Sequence, residues 1–282
     1  MAGGVSPVVR GRRLAAILRR LRADSGRTVE EVAVHLECSA AKVSRIENGL
    51  VGVRIQDARE LLDLYGVTGA RREEILELVR QARGRGWWFP YADVMTEGFE
   101  QALGYEDEAV SVWRLEARLV PGVLQTEDYA AALLNARRDT PVDVVERRLE
   151  LRMLRRQVLT RPDPADLRVV LDEAVLLRRV GSAAVMDGQY RQLIAATEAA
   201  NVALRVLPLA GETHPAIGFS FTVYGFSDPA DPRIVFEEAF ERTVLHERVE
   251  ETARYITGFE QAWSCAWSEA DSLAYLARLV AG

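Results

Sequence analysis

Lysine is almost missing from this chain. Of 36 basic residues in 282, Lys42 is the only lysine and the rest are arginine. GC-rich coding produces such a bias, so no arginine counts by type alone as a bidentate reader of carboxylate, phosphate or base. Cysteine is scarce too. Cys38 and Cys265 lie far apart, which excludes a disulfide framework and a cysteine zinc site. With only His35, His214 and His246 present, a multi-histidine site is excluded as well, and we expect no metal and no cofactor. No run of about 18 apolar residues occurs, so no membrane span is expected. The stretch 1–13 has no apolar core followed by a small-residue cleavage site, which argues against a secretory signal. Hydrophobic residues at 49% and charged residues at 28% argue against disorder. The expectation is a soluble cytoplasmic protein, long enough for two domains at roughly 100–200 residues each.

The net charge of −6 is unevenly spread. Residues 1–86 hold 16 Lys+Arg and 11 Asp+Glu, net +5, while the remainder holds 20 and 31, net −11. The first 22 residues carry six arginines and no acid. A basic module joined to an acidic one fits this asymmetry. Attraction to phosphate depends on the local patch, so overall acidity does not exclude nucleic acid.

Five short helices are expected within 10–83. Leu14, Ile17, Leu18 and Leu21 recur at helical spacing. Thr28 with Glu31 forms a capping-box pattern ahead of Val29, Val32, Ala33 and Leu36. After the turn at Glu37-Cys38, Ser39 caps a helix over 40–47, and Gly49 supplies a left-handed stop. Two further helices are expected at 55–65 and 71–82. Arg83-Gly84-Arg85-Gly86 reads as a hinge, giving domains 1–84 and 85–282. The aromatics Trp87, Trp88, Phe89 and Tyr91 are expected to anchor this linker in the second core, the alternative being a ligand or partner pocket.

The second domain mixes strand-like runs at 110–120, 167–171, 202–207, 218–224 and 234–237 with helices at 126–137, 142–159, 173–180 and 182–199. Leu245, Val249, Ala253, Ile256, Trp263 and Trp267 then follow a helical period. Ser268 with Asp271 starts a last capped helix. The fold class is therefore an all-α helical domain followed by an α+β domain.

The second and third helices meet the requirements of a helix-turn-helix. Ala33 lets the two helices approach closely. Val43 and Ile46 hold the second from behind. Ala40, Ala41, Lys42, Ser44 and Arg45 lie on its other face. Arginine can take guanine O6 and N7, and alanine can meet a thymine methyl. Ser39 and the amides beside it can hold a phosphate. Thr28 and Val29, at the start of the preceding helix, and Asn48 complete the candidate DNA-binding set. Double-stranded DNA is the expected ligand.

Leu18-Arg19-Arg20-Leu21-Arg22, Gly26-Arg27-Thr28, Val29-Glu30-Glu31-Val32-Ala33 and Ser39-Ala40-Ala41-Lys42-Val43-Ser44-Arg45-Ile46-Glu47-Asn48-Gly49 closely resemble the XRE family of phage-repressor-like regulators. Arg27 departs from that pattern where an apolar residue is usual, and Glu37 where glycine is usual. The resemblance implies a structural ion pair between Arg22 and Glu47. Trp87-Trp88-Phe89, Glu116-Ala117, Val120-Pro121-Gly122-Val123-Leu124-Gln125-Thr126-Glu127-Asp128-Tyr129-Ala130, Leu171-Asp172-Glu173-Ala174-Val175 and Val206-Leu207-Pro208 resemble actinobacterial XRE regulators with a C-terminal domain of unknown function, the WhiJ-like developmental regulators among them. That resemblance implies transcription control with a small neighbour-encoded protein partner, or an antitoxin-like role. A homodimer is expected, because two-fold dimers read paired half-sites.

Catalysis is not expected. Asp172-Glu173 and Glu237-Glu238 are adjacent pairs, and neighbours on a strand point to opposite faces. No nucleophile–base set is recognisable. His214, in the loop 211–215, is expected at the surface. Arg147, Arg148, Arg152, Arg155 and Arg156 are expected to form a solvated face with Glu146 and Glu150 as local partners, the alternative being a site for an acidic partner or flanking DNA.

Overall fold

Capping chemistry sets out five helices at the start of the computed structural model, which describes residues 6–96, 98–228, 231–238 and 243–281. Pro7 occupies the first turn of α1 (Pro7–Asp24), where its missing N–H costs nothing. The Glu31 amide donates to Thr28 Oγ1 at 3.1 Å and the Thr28 amide to Glu31 Oε2 at 2.8 Å, closing the capping box of α2 (Val29–His35). Ser39 Oγ accepts from the Lys42 amide at 3.2 Å and opens α3 (Ala40–Glu47). Helices α4 (Ile55–Leu64) and α5 (Gly69–Ala82) follow. Gly26, Gly49 and Gly66 take positive φ after α1, α3 and α4. There the next amide reaches back, Arg27 to Arg22 O and Leu50 to Arg45 O, satisfying carbonyls the helix leaves open. Leu18, Val32, Val43, Leu62, Ile75 and Val79 belong to one buried core.

This unit, Met1–Phe89, is one of two into which the chain divides; the other is Pro90–Gly282. Trp87, Trp88 and Phe89 fall at the end of the first unit, and Tyr91 at the start of the second. Trp88 is fully buried, and Trp87 meets it edge-on.

The second unit is α+β. Its helices are α6 (Phe99–Glu108), α7 (Glu127–Asn135), α8 (Val142–Leu154), α9 (Glu173–Leu177), α10 (Ala183–Ala196), α11 (Val249–Cys265) and α12 (Glu269–Ala281). A mixed sheet is formed by β1 (Ser111–Glu116), β2 (Asp166–Asp172), β3 (Val202–Leu207), β4 (Phe221–Gly225), β5 (Ile234–Glu238) and β6 (Thr243–His246), in the order β3-β2-β1-β4-β5-β6. β1 pairs in parallel with β2, and β2 with β3. The pairs β1/β4, β4/β5 and β5/β6 are antiparallel.

Alternation along β1 serves two faces. Trp113 and Leu115 pack with the α11 side chains Phe259 and Ala262. Trp113 stacks on Phe259 at 5.2 Å, and the Arg168 guanidinium lies over both the Trp113 and Trp263 rings. On the opposite face, Arg114 donates to Glu106 of α6 at 2.6 Å.

Several expectations are corrected. The first strand stops at Glu116, because the Ala117 amide turns to Ser220 Oγ at 2.9 Å. The helix at 173–180 ends at Leu177, ahead of Gly181 with positive φ. α6 and β6 were not expected. Leu245 lies in β6 and Trp267 lies past α11, where its amide donates to Val206 O at 2.9 Å, so neither belongs to that helix.

Candidate nucleic-acid interface

The interface is built on α3. Val43 and Ile46 are buried in the core of the first unit, and Glu47 is 6% exposed. With one side anchored, the rest of the helix faces outward. Ser39, Ala41, Arg45 and Asn48 are exposed; Ala40, Lys42 and Ser44 are half-buried. Thr28 is exposed and Val29 half-buried at the start of α2. The sequence-selected residues therefore gather along α3 and the α2 cap.

Glu47 is held by Arg22 of α1 in a two-pronged ion pair, Nε to Oε1 at 2.7 Å and Nη2 to Oε2 at 3.0 Å. Arg22 Nη1 also donates to Arg27 O at 2.9 Å, so one guanidinium ties α1, the turn before α2, and α3. The hydrogen bond to Glu47 raises the Arg22 pKa. Burial, with Glu47 beside it, pushes the Tyr65 hydroxyl up to about 12. Gly49 ends α3 at φ 69°, a left-handed backbone that glycine adopts without strain.

Two contacts constrain the outward face. Lys42 Nζ pairs with Asp57 Oδ2 of α4 at 2.8 Å, so its ammonium already has a carboxylate. Asn48 Nδ2 donates to Ser44 Oγ at 3.3 Å. The Arg45 guanidinium, in contrast, forms no ion pair or hydrogen bond among the described residues and projects from the exposed side. Asp57 was missed by reading the sequence; it lies 15 residues from Lys42, on another helix. The turn between α2 and α3 contains Glu37 at φ 47°, the one positive φ outside glycine among the described residues. A left-handed backbone is adopted there without glycine.

In the second unit, the surface expected for His214 is overturned. It is 4% exposed, its ring nitrogens meet no partner among the described residues, and burial lowers its pKa. The acidic pairs are divided by geometry. Asp172 Oδ1 accepts from the Ala174 amide at 2.9 Å and caps α9. Glu173 accepts from the Leu209 amide and the Tyr275 hydroxyl. The solvated arginine face is overturned as well. Arg147 bonds Asp93 and Pro90 O, Arg148 bonds Val94 O, Arg152 bonds Gln125, and Arg155 pairs with buried Glu106. For these four arginines no hydrogen bond or ion pair to Glu146 or Glu150 is formed among the described residues, and Glu150 acts on Arg147 only through its charge. Among the described residues, no three His, Cys, Asp or Glu side chains cluster as metal ligands. Among the described residues, no helix is long and apolar enough to cross a membrane.

A family model described as a helix-turn-helix domain matches residues 13–75, and one described as a domain of unknown function, DUF5753, matches residues 99–278. No curated protein matches the chain, and no solved structure does.

Proposed function

We propose that this chain, which belongs to the DUF5753 family and carries a helix-turn-helix domain ahead of that region, is a sequence-specific transcriptional regulator controlled through its second unit. The reading makes it a cytoplasmic, non-enzymatic regulator of the XRE, WhiJ-like kind known from actinobacteria. It acts as a homodimer on paired half-sites, and a small protein or ligand sets its activity.

The observation that carries this reading is Arg45. It stands exposed and unpaired on a helix whose other side is locked by Val43, Ile46 and the Arg22–Glu47 pair. A rigid helix with one free guanidinium, flanked by Ala41 and Ser44, suits the major groove. Ser39 and the first α3 amides suit a phosphate. Lys42 is a weaker phosphate candidate, because Asp57 competes for it.

The test is a footprint on the chain's own promoter region with wild type and Arg45→Ala, together with light scattering of the free protein and the complex. A protected two-fold site, weakened in the variant, and a dimeric mass are expected. Undiminished protection by Arg45→Ala, or a monomer on DNA, would refute the corresponding part.

A second reading is an antitoxin-like protein that neutralises a small basic partner and regulates its own promoter. It is favoured by the net −11 of residues 87–282. Arginines are drawn inward there by Glu106, which leaves the surface more acidic than the count. Co-purification of a neighbour-encoded basic protein that the chain neutralises, with binding confined to its own promoter, would favour this reading over the first.

A further inference from the structure

Arg148, Arg152 and Arg155 lie at i, i+4 and i+7 on α8 and the 3-10 turn that follows it, Arg155–Leu159. Glu106 is the buried acid that answers this row. Its Oε1 accepts from Arg155 Nε at 2.8 Å, and its Oε2 from Arg155 Nη2 at 2.9 Å and Arg114 Nη2 at 2.6 Å. Both oxygens are thus consumed by two arginines. Arg148 gives its Nε to Val94 O at 2.8 Å.

Arg152 is left over. Its Nη1 donates to Gln125 Oε1, a neutral acceptor, at 2.9 Å, and it has no ion pair among the described residues. Glu238 attracts it from beyond ion-pair distance. The side chain is half-buried, and burial with Arg155 and Arg148 beside it brings its pKa down to about 10. A charge withdrawn from water is costly unless it meets a counter-charge. Gln125 is itself fixed, its Nε2 donating to Val120 O at 2.7 Å, so the acceptor is aimed and not merely near.

Topology gives the position meaning. Gly122 and Gln125 belong to the segment that leaves the C-terminal end of β1. Gly122 packs so closely that a Cβ there would meet Arg155 Nη1 at 3.3 Å. From β1 the sheet continues through parallel β2 and β3 on one side and antiparallel β4 on the other. In this α+β sheet the parallel run ends at β1, so the C-terminal end of β1 lies beside the start of antiparallel β4, with Leu115 opposite Phe221.

The geometry points to a small-molecule oxyanion site at the C-terminal end of β1, in which Arg152, aimed by Gln125, takes the carboxylate or phosphate of a metabolite. Guanidinium is suited to either group, because its planar fork bonds two oxygens at once. This deepens the reading that the second unit receives a signal, but occupancy of the site does not depend on DNA.

The test uses the full chain at constant ionic strength, titrated separately with succinate and with inorganic phosphate, with Tm as the readout. A saturable rise of several degrees is expected with one of them once it is in large excess over its Kd. It should persist in Ser39→Asp, whose charge repels phosphate from the first α3 amides while still capping that helix. It should vanish in Arg152→Gln and be weakened about tenfold or more in Arg152→Lys, which keeps the charge but loses the fork. No saturable rise with either anion, or a rise that survives Arg152→Gln, would overturn the proposal. Saturable binding without any change in operator affinity would leave the site standing and refute its regulatory use.

Discussion

Replacing Glu47 by glutamine tests whether the α1–α3 clamp stabilises the DNA-reading unit. The substitution keeps size and one acceptor but removes the charge. Arg22 and Glu47 side chains are 18% and 6% exposed, and two bonds of 2.7 and 3.0 Å join them. Stranding a charge by breaking a fully buried pair costs about 3–5 kcal/mol, while an exposed pair contributes about 0–1. Arg22 keeps some water and its bond to Arg27 O, so this case falls between the limits, at about 2 kcal/mol. For a unit of this size each kcal/mol moves Tm by roughly 4–8 °C, so a fall of about 10 °C is expected. The two units can melt separately, so hydrogen exchange on α1 and α3 should accompany the thermal scan. A cycle with Arg22→Gln completes the test. The double variant should be less destabilised than the two singles added together, because the stranded charge is gone. A coupling below about 0.5 kcal/mol would refute the argument that this pair clamps the helices.

Arg45→Ala should cost about 1–3 kcal/mol of operator affinity and relax the preference at one base position; a gel-shift series over single-base variants reads both. Lys42→Ala should disturb stability more than specificity, since it breaks the 2.8 Å pair with Asp57; Asp57→Asn should in turn tighten binding to all sequences and steepen the salt dependence, and unchanged salt slopes would count against the competition. Glu37→Gly should stabilise the first unit by up to about 1 kcal/mol, because glycine accepts the left-handed φ without strain, as denaturant midpoints at constant slope would show. Burial raises the Glu116 carboxyl from 4.5 to about 7, so the fold favours its protonated form. That contribution is full below pH 4.5 and is lost as pH rises through 7, on the order of 3 kcal/mol at most. Glu116→Gln should flatten the difference in stability between pH 5 and pH 8 relative to wild type, and identical pH profiles would contradict the shift.

What was legible in the sequence was local. Thr28 with Glu31, Ser39 before Ala40, and Gly26 and Gly49 after their helices mark boundaries through bonds between near neighbours. The outward face of α3 follows from helical spacing once Val43 and Ile46 are inward. The strands at 167–171 and 202–207 were visible because Leu167, Val169 and Leu171, and Val202, Leu204 and Val206, alternate along one buried face. By contrast, α6 escaped because its inward side carries Glu106, which breaks the apolar period, and its N-cap is Gly98 with no side-chain bond. β6 is four half-buried residues at the sheet edge, too short for alternation to stand out.

The arginine row of α8 shows where local reasoning stops. Glu146 and Glu150 lie within helical reach of several of these arginines, and such pairs contribute only about 0.2–0.5 kcal/mol each. A buried acid outweighs that, because in a low dielectric its own charge needs compensation. Glu106 supplies that demand from α6, with Arg155 49 residues away and Arg114 8 residues away. The row is therefore turned inward by a residue that no window around α8 contains. The count of charges then matters more than their spacing. Glu106 offers two oxygens, and Arg114 and Arg155 fill them, so a third arginine, Arg152, is left with no ion pair among the described residues. A surface row would leave no such remainder, since water screens each charge separately. Arg152 is thus a consequence of turning the row inward, and that remainder makes the anion titration a test of how this second unit works.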